Sequence, residues 1–430
     1  MNIEAYLDQF QRVTENPTLE TMNWMMQKFQ NPHKKYQVIH VAGTNGKGSV
    51  VEILNRVLLD QGYNVGKYIS PHLCEFNERI CVNDVPISNQ EIEEIIKELE
   101  PFIQEYNQTH EIPVKHFEVV TSIAFVYFAR KKCDFVVLET GMGGTWDCTN
   151  IVQPILSIIT SIGYDHMKLL GNTLTEIAKQ KAGIIKQNSD TIFLECENKN
   201  ENAKILKIIE EQCKKKNNQL HIVHRNQISH YAYDMNYQYF DYKKERHICT
   251  NLKGKVQIYN TAICLEAINV LNQKGYTLNE NIYRKSFANV KHLGRFEILH
   301  ESPIVIYDGA HNEPSIKNFA RNINQYYSQK EKVYILAILK KKDYETIIKI
   351  LAKDQRAYFY MTSGNIDGMY ATKEELYQIG RQYIDKNRVK KMDLKEAVVD
   401  AVENHPNSVI GITGSFYIYQ DIITMKLFKN

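Results

Sequence analysis

None of the eight cysteines stands in C-x-x-C spacing; they are scattered at 74, 81, 133, 148, 196, 213, 249 and 264. That scatter excludes a zinc cluster and a disulfide framework and fits a reducing compartment. No apolar run approaches the length of a membrane-crossing helix. The polar start, MNIEAYLDQFQRVTENP, has no basic segment leading into an apolar one. Excess charge is missing as well. A formal net charge of +3 over 430 residues gives no ground for a nucleic-acid or membrane-surface partner. Without a G-x-S-x-G or an H-E-x-x-H, serine-hydrolase and zinc-protease chemistries lack their motifs. Internal repeats and low-complexity linkers are absent. What remains, at 43% hydrophobic and 24% charged residues, is a soluble globular chain long enough for roughly two or three domains. A cytoplasmic monomer is expected.

The chain is organised around GTNGKGS at 43–49, which follows an apolar run at 38–41 and precedes an amphipathic one at 50–59. Strand, glycine-rich turn and helix are the context of a phosphate-binding loop, where backbone N–H groups and the helix dipole meet phosphate oxygens. Lys47 would reach the outer phosphates and Ser49 would offer a hydroxyl to Mg²⁺. The spacing departs from G-x-x-x-x-G-K-[ST]: the first glycine sits closer, and Gly48 separates Lys47 from Ser49. The alternative is a plain glycine turn.

Before the loop, helices are expected, with Met and Trp at 24–26 packing into a core. After it come a strand at 65–69 running into SPHL, a loop with a short hairpin at 74–84, and helices over 88–110 and 119–130. An apolar strand at 135–138 ends on Glu139, ahead of GMGG at 141–144. A carboxylate there is either a Walker-B-type metal acid or a strand end facing solvent. A strand at 155–160 leads to His166, a metal-ligand candidate or a structural histidine. The helix over 175–186 carries Lys179 and Lys181, and 199–220 reads as a further helix. Alternating tyrosines within 221–258 fit a small antiparallel sheet better than a single-stranded nucleic-acid surface. A helix follows at 260–272. Beyond 291–297, strands at 304–307, 333–338, 357–361 and 409–412 alternate with helices near 314–327, 343–353, 372–385 and 394–404. Asp308, in DGAHN, closes one of these strands. The fold class is α/β. An N-terminal P-loop-type ATPase domain (1–292), with a mainly parallel sheet plus a small antiparallel one, precedes a Rossmann-like parallel α/β domain (293–430).

Several segments together resemble the Mur ligase superfamily and, within it, the folylpolyglutamate synthase family with its bifunctional dihydrofolate synthase form. They are HVAGTNGKGS at 40–49, SPHL at 70–73, FNERI at 76–80, HFEVVTSIAF at 116–125, ETGMGGTWDCTN at 139–150, the stretch 160–186, GRFE at 294–297, DGAHN at 308–312 and GITGSFY at 411–417. The resemblance implies that Gly43, Thr44, Asn45, Gly46, Lys47, Gly48 and Ser49 hold the phosphates of ATP. Asn260, Arg295 and Asp308 match other ATP contacts. Ser49, Ser70 and Glu139 match ligands of one Mg²⁺, and His166 a ligand of a second. Lys181 matches a lysine that the superfamily carbamylates into a metal ligand. His311 falls near the incoming glutamate, and His116, Phe117, Glu118 and Val119 with Trp146, Asp147 and Cys148 fall where the pterin binds. Lys47, Lys181, His166, Asp308 and His311 are the implied catalytic set.

Three positions depart from the family pattern: Thr145 for an arginine, Gln180 for a glutamate and Val256 for a histidine. NPTLETM at 16–22 matches a pterin-contacting motif only loosely. The implied reaction is ATP-dependent ligation of L-glutamate to the γ-carboxylate of a folate through an acyl phosphate, with two closing domains. Dihydropteroate is the alternative or additional acceptor. A UDP-muramoyl peptide ligase is disfavoured by the short stretch ahead of Gly43, and a nucleotide binder without ligase activity by the intact metal and phosphate positions.

Overall fold

In the computed structural model, which describes residues 2–12, 17–366 and 368–428, the apolar runs become the central strands of two sheets. The chain divides into two compact units. One holds the residues up to Asn251 together with Lys255–Val290; the other holds Leu252–Gly254 and the residues from Lys291 onward. Asn16 of the NPTLETM segment lies outside the described residues.

The first unit is built on eight strands: β1 (Gln37–Ala42), β2 (Val65–Tyr68), β3 (Ile80–Val82), β4 (Val85–Pro86), β5 (Phe135–Glu139), β6 (Leu156–Ile159), β7 (Asp190–Leu194) and β8 (Gln219–Val223). Their order is β4-β3-β2-β5-β1-β6-β7-β8. The pairs from β2 across to β8 are parallel, and the β3–β4 hairpin runs antiparallel along β2. Strands covered by helices on both faces need apolar side chains at every position, which is why FVVLE and LSII do not alternate. β1 has β5 on one flank and β6 on the other, with Val41 opposite Glu139 and Ala42 opposite Ile159. The chain leaves β1 for one side of the sheet and later crosses it to the other. The strand ends around β1 are therefore a topological switch point, where open α/β sheets bind ligands.

The helix Glu20–Lys28 buries Met22, Met25 and Met26 completely in the core that also holds Val119, Ile123 and Phe125 of the helix His116–Arg130. The methionine stripe is packing. A separate antiparallel sheet, β9 (Ile228–Tyr233), β10 (Gln238–Tyr242) and β11 (Glu245–Thr250), accounts for the alternating tyrosines. Two expectations change here. The helix read over 199–220 ends at Lys215, because its tail and the start of the tyrosine segment form β8 at the sheet edge. The helix read over 175–186 spans only Leu174–Ala182 and stops at Gly183.

The second unit has β12 (Glu297–Glu301), β13 (Ile304–Asp308), β14 (Lys332–Leu336), β15 (Tyr358–Met361), β16 (Val389–Lys391) and β17 (Val409–Thr413), in the order β12-β13-β17-β14-β15-β16. β12 pairs antiparallel with β13, so this sheet is mixed rather than purely parallel. β12 and β16 are short, half-exposed edge strands whose sequences carry no apolar run. Among the described residues no helix is long and apolar enough to cross a membrane.

Phe319 centres the second core: its ring is edge-on to Phe296 and to Tyr334, each at 6.2 Å, and it covers Gly411. Phe319→Ala is expected to lower the unfolding free energy of this unit by about 3–5 kcal/mol, since truncating a buried phenylalanine leaves a cavity. Chemical denaturation measures it. A loss below about 1 kcal/mol would mean that the cluster repacks around the gap.

Candidate active site

The helix Lys47–Asp60 begins directly behind β1, so the N–H groups of its first turn have no intrahelical acceptor and face the crevice. Gly46 caps it with φ +92, and an added Cβ would lie 2.8 Å from Asn260 Oδ1, a conformation and a contact that only glycine accepts. Asn260 is thus against the loop although it is distant in sequence. The loop is stapled to the segment after β6. Thr44 N–H donates to Ser161 O at 2.8 Å, Asn45 N–H to Ser161 Oγ at 2.9 Å, and Thr160 Oγ1 and Ser161 Oγ each donate to Asn45 O at 2.8 Å. The Thr44 hydroxyl donates to Gly163 O and accepts from Gly163 N–H, both at 3.0 Å. Sequence reasoning missed Thr160 and Ser161 as supports; their only signal was the TSIG run beyond a strand end.

Lys47 Nζ donates to Gly43 O at 3.2 Å and lies 3.8 Å from Glu139 Oε1. Glu139 is buried at the end of β5, and its other oxygen accepts from Ser70 N–H at 3.3 Å. Ser49 is buried in the first turn of the helix. Among the described residues no three His, Cys, Asp or Glu side chains gather as a metal set. The donors here are one carboxylate and serine hydroxyls. That hard-oxygen set fits Mg²⁺, which keeps its waters and shares substrate phosphates with one or two carboxylates.

Lys181 is only 3% exposed. Burial, and then the Lys47 ammonium, push its amine down to about 7. It is held by the turn after Glu139. Thr145 N–H and Oγ1 donate to Gln180 O at 2.8 and 3.0 Å, and a Cβ on Gly144 would lie 2.7 Å from Gln180 O and 2.9 Å from Lys181 O. Asn150 Nδ2 bridges Thr145 O and Gly183 O at 3.0 and 3.1 Å. Thr145, where the family has arginine, therefore still anchors the turn to the lysine helix. His166 begins the short helix Met167–Leu170 in a left-handed conformation, half-exposed, with its ring 3.9 Å from the Asp165 carboxylate.

The residues matched to a pterin site divide. Phe117 packs under Gly141 beside Asp147, and Trp146 is exposed. Asp147 Oδ2 accepts from Met142 N–H at 2.9 Å; burial pushes its carboxyl up, and hydrogen bonds from Thr149 and Met142 oppose that. Burial raises the Cys148 thiol well above its ordinary value. His116 is turned into the N-terminal segment, its Nδ1 3.0 Å from Leu7 O and its N–H donating to Gln11 O. Glu118 accepts from Lys115 N–H at 2.7 Å, and burial lifts it to about 7. Val119 is a correction, since its side chain is sealed in the core and cannot face a ligand. Phe76 and Arg79, both in the FNERI segment but given no individual role from sequence, join Phe117. The Arg79 guanidinium lies 5.7 Å from the Phe76 and Phe117 ring centres, and its Nε–H donates to His72 Nδ1 at 2.9 Å.

In the second unit, Asp308 ends β13 opposite Thr413 of β17. Its carboxylate accepts from Phe296 N–H at 3.0 Å and Ala310 N–H at 2.9 Å; burial lifts it to about 6 against the pull of Arg295. Phe416 gathers the rest. The Arg295 guanidinium lies 4.2 Å from its ring centre, His311 is edge-on at 5.4 Å, and Gly309 leaves room for the ring. The aromatic was visible in GITGSFY but not its role as the common contact.

A family model for the Mur ligase middle domain matches residues 41–268, and one for the dihydrofolate synthetase C-terminal domain matches residues 295–425. The chain belongs to the Mur ligase family. A Bacillus subtilis dihydrofolate synthase/folylpolyglutamate synthase is 33% identical over 419 residues, 94% of each chain. This family member also shares its fold with a Mycobacterium tuberculosis folylpolyglutamate synthase solved with ADP and AMPPCP (TM-score 0.87, 26% identity, 98% and 97% of the two chains). An E. coli FolC solved with DHPP and ADP gives a TM-score of 0.82 at 25% identity, over 98% and 96% of the two chains. As a Mur ligase of the folylpolyglutamate and dihydrofolate synthase group, the chain is an ATP-dependent amide-forming ligase.

Asp308 titrates near 6 in the folded unit against an ordinary 3.8. Between these values the folded state binds the extra proton, so stability falls as pH rises from about 4 to 6, by on the order of 3 kcal/mol. Asp308→Asn should flatten that slope in urea midpoints taken across the window. An unchanged slope would place the titration elsewhere.

Proposed function

We propose that the chain is a folylpolyglutamate synthase that also serves as a dihydrofolate synthase, ligating L-glutamate to the γ-carboxylate of a reduced folate and to the carboxylate of dihydropteroate, in the cytoplasm. The observation that carries the acceptor reading is the cluster of Arg79, Phe76, Phe117 and Asp147 at the glycine turn that follows Glu139. Two aromatic faces, a guanidinium and a carboxylate suit a flat heterocycle that is rich in N–H donors and attached to an acid. The names of the Bacillus subtilis relative and the E. coli structure's DHPP ligand support both acceptors.

In this reading the N–H groups of residues 46–49 and the Lys47 ammonium bind the ATP phosphates, and Asn260 borders them. A carboxylate oxygen of the acceptor attacks the γ-phosphorus, ADP leaves, and an acyl phosphate results. The amine of glutamate then attacks the acyl carbon, loses a proton, and inorganic phosphate departs. Mg²⁺, when bound, supplies neutralising charge to the phosphoryl oxygens. Ser49, Ser70 and Glu139 would hold one ion, and His166 with Lys181 a second. By the family resemblance, Arg295 and Asp308 match nucleotide-contacting positions and His311 a position near the incoming glutamate.

Lys181 suits carbamylation on electrostatic grounds. An amine near 7 keeps a neutral fraction whose lone pair can attack CO₂; the nitrogen sheds a proton and becomes an anionic carbamate. That change replaces the repulsion between two buried ammonium groups with attraction to Lys47. ¹³C-bicarbonate should therefore give a carbamate resonance that Lys181→Ala removes; a signal unaffected by that substitution would refute the assignment.

Product mass after incubation with ATP, Mg²⁺, glutamate and either a reduced folate monoglutamate or dihydropteroate tests the reaction. Mass ladders in glutamate steps on the folate, and one addition to dihydropteroate, are expected. Lys47→Ala and Glu139→Ala should each lower turnover by at least about a hundredfold while the chain stays folded. ATP binding with no acceptor consumed would sink the reading.

A further inference from the structure

His40 lies within β1, fully buried in a strand whose other interior side chains are apolar. A valine or isoleucine there would suit the sheet better, because a buried imidazole must have its polar atoms satisfied. One of them is. His40 Nε2 lies 2.8 Å from Thr149 Oγ1, while Nδ1 is buried with no hydrogen-bond partner among the described residues. Thr149, only 1% exposed, places its hydroxyl 2.5 Å from Asp147 Oδ1, and its N–H donates to the same oxygen at 3.1 Å. The other Asp147 oxygen holds Met142 N–H at 2.9 Å. A continuous path thus runs from the centre of the sheet to the turn that follows Glu139.

A hydroxyl has one proton to give, so the path has two possible polarities. In one, His40 Nε2–H donates to Thr149, and Thr149 donates to the Asp147 carboxylate. In the other, Asp147 carries the proton, Thr149 donates to Nε2, and the imidazole must be protonated at Nδ1. The second leaves a buried N–H without an acceptor, which costs that group's full desolvation; the first leaves only an unprotonated ring nitrogen. The first polarity wins. The ring also stays neutral, since burial and then the Lys186 ammonium push it down to about 3.

We propose that His40 is a positioning residue for the acceptor site: its Nε2–H fixes the Thr149 hydroxyl so that the hydroxyl's single proton points at Asp147 and holds that carboxylate beside Phe117. The inference rests on Asp147 belonging to the acceptor site. Without the imidazole donor, the Thr149 hydroxyl is no longer held from the β1 side and Asp147 loses a fixed partner, whereas the phosphate loop keeps its own bonds to residues 160–163.

Three variants separate this from a merely structural role: His40→Leu, which removes the donor; His40→Gln, whose side-chain amide N–H reaches the same place; and Thr149→Val, which removes the hydroxyl at constant shape. Steady-state kinetics with a reduced folate monoglutamate give the acceptor KM, and calorimetry with AMPPCP gives nucleotide affinity. His40→Leu and Thr149→Val should raise the acceptor KM about tenfold, with AMPPCP affinity within about twofold and His40→Gln within about threefold of the unsubstituted enzyme. Nitrogen-15 imidazole spectra should show His40 protonated at Nε2. The proposal fails if His40→Leu keeps the acceptor KM, if AMPPCP affinity falls in proportion, if His40→Gln is as impaired as His40→Leu, or if Nδ1 carries the proton. Should His40→Leu not fold, Thr149→Val carries the same comparison. If the unsubstituted enzyme consumes neither acceptor, it is the functional reading that fails, and the imidazole spectrum still decides the relay.

Discussion

Two lysine amines and one carboxylate share a largely buried crevice, and the first unit is arranged around that charge problem. Lys47 is 3.8 Å from Glu139, an attraction of about 4 kcal/mol at the effective dielectric typical of such pairs. Among the described residues Lys181 has no ion-pair partner at comparable range, and it lies deep enough that its protonated form is disfavoured. The crevice as folded thus favours an added anion, and phosphate is the one its backbone N–H groups are shaped to receive. Mutual repulsion would part the two lysines if the chain allowed it. What prevents this is backbone packing: Gly144 has no side chain, so the turn after Glu139 seats directly on the carbonyls of Gln180 and Lys181.

Rigidity here comes from hydrogen bonds between segments far apart in sequence. The phosphate loop is tied to residues 160–163, the glycine turn to the lysine helix through Thr145 and Asn150, and that turn to β1 through Thr149 and His40. Each tie satisfies a polar group that would otherwise be buried unpaired, so positioning and solvation are solved by the same bonds. Thr145, a departure from the family residue, still takes part in these ties. The position's backbone N–H and carbonyl make two of the contacts, and a short hydroxyl adds a third.

The central strands were legible in the sequence because parallel strands are continuous apolar runs, and Gly43, Glu139 and Asp308 stood out as candidates because they sit at or just beyond the ends of such runs. Local spacing also distinguished the methionine stripe from a ligand set. Less was readable at the sheet edges. β12 and β16 are too short and too exposed to leave a period, and the helix before β8 gave no sign of where it stopped. Within the site, Arg79 with Phe117, Asn260 with Gly46, and Phe416 with Arg295 meet only through the fold, so no spacing rule could pair them. Val119 went wrong for the opposite reason. It lies two residues after Phe117, and on a helix positions i and i+2 do not share a face, so its side chain turns into the core.

The bonds between residues 43–46 and 160–163 have a thermodynamic corollary. A loop that folds around its ligand gives up chain entropy on binding and shows a heat-capacity change larger than its contact area warrants. This loop holds its bends through its neighbours' hydroxyls and carbonyls, so arrival of a nucleotide need order little beyond the side chain of Lys47. Affinity can then be moderate without being entropically penalised, and release of the spent nucleotide does not wait for the loop to unravel.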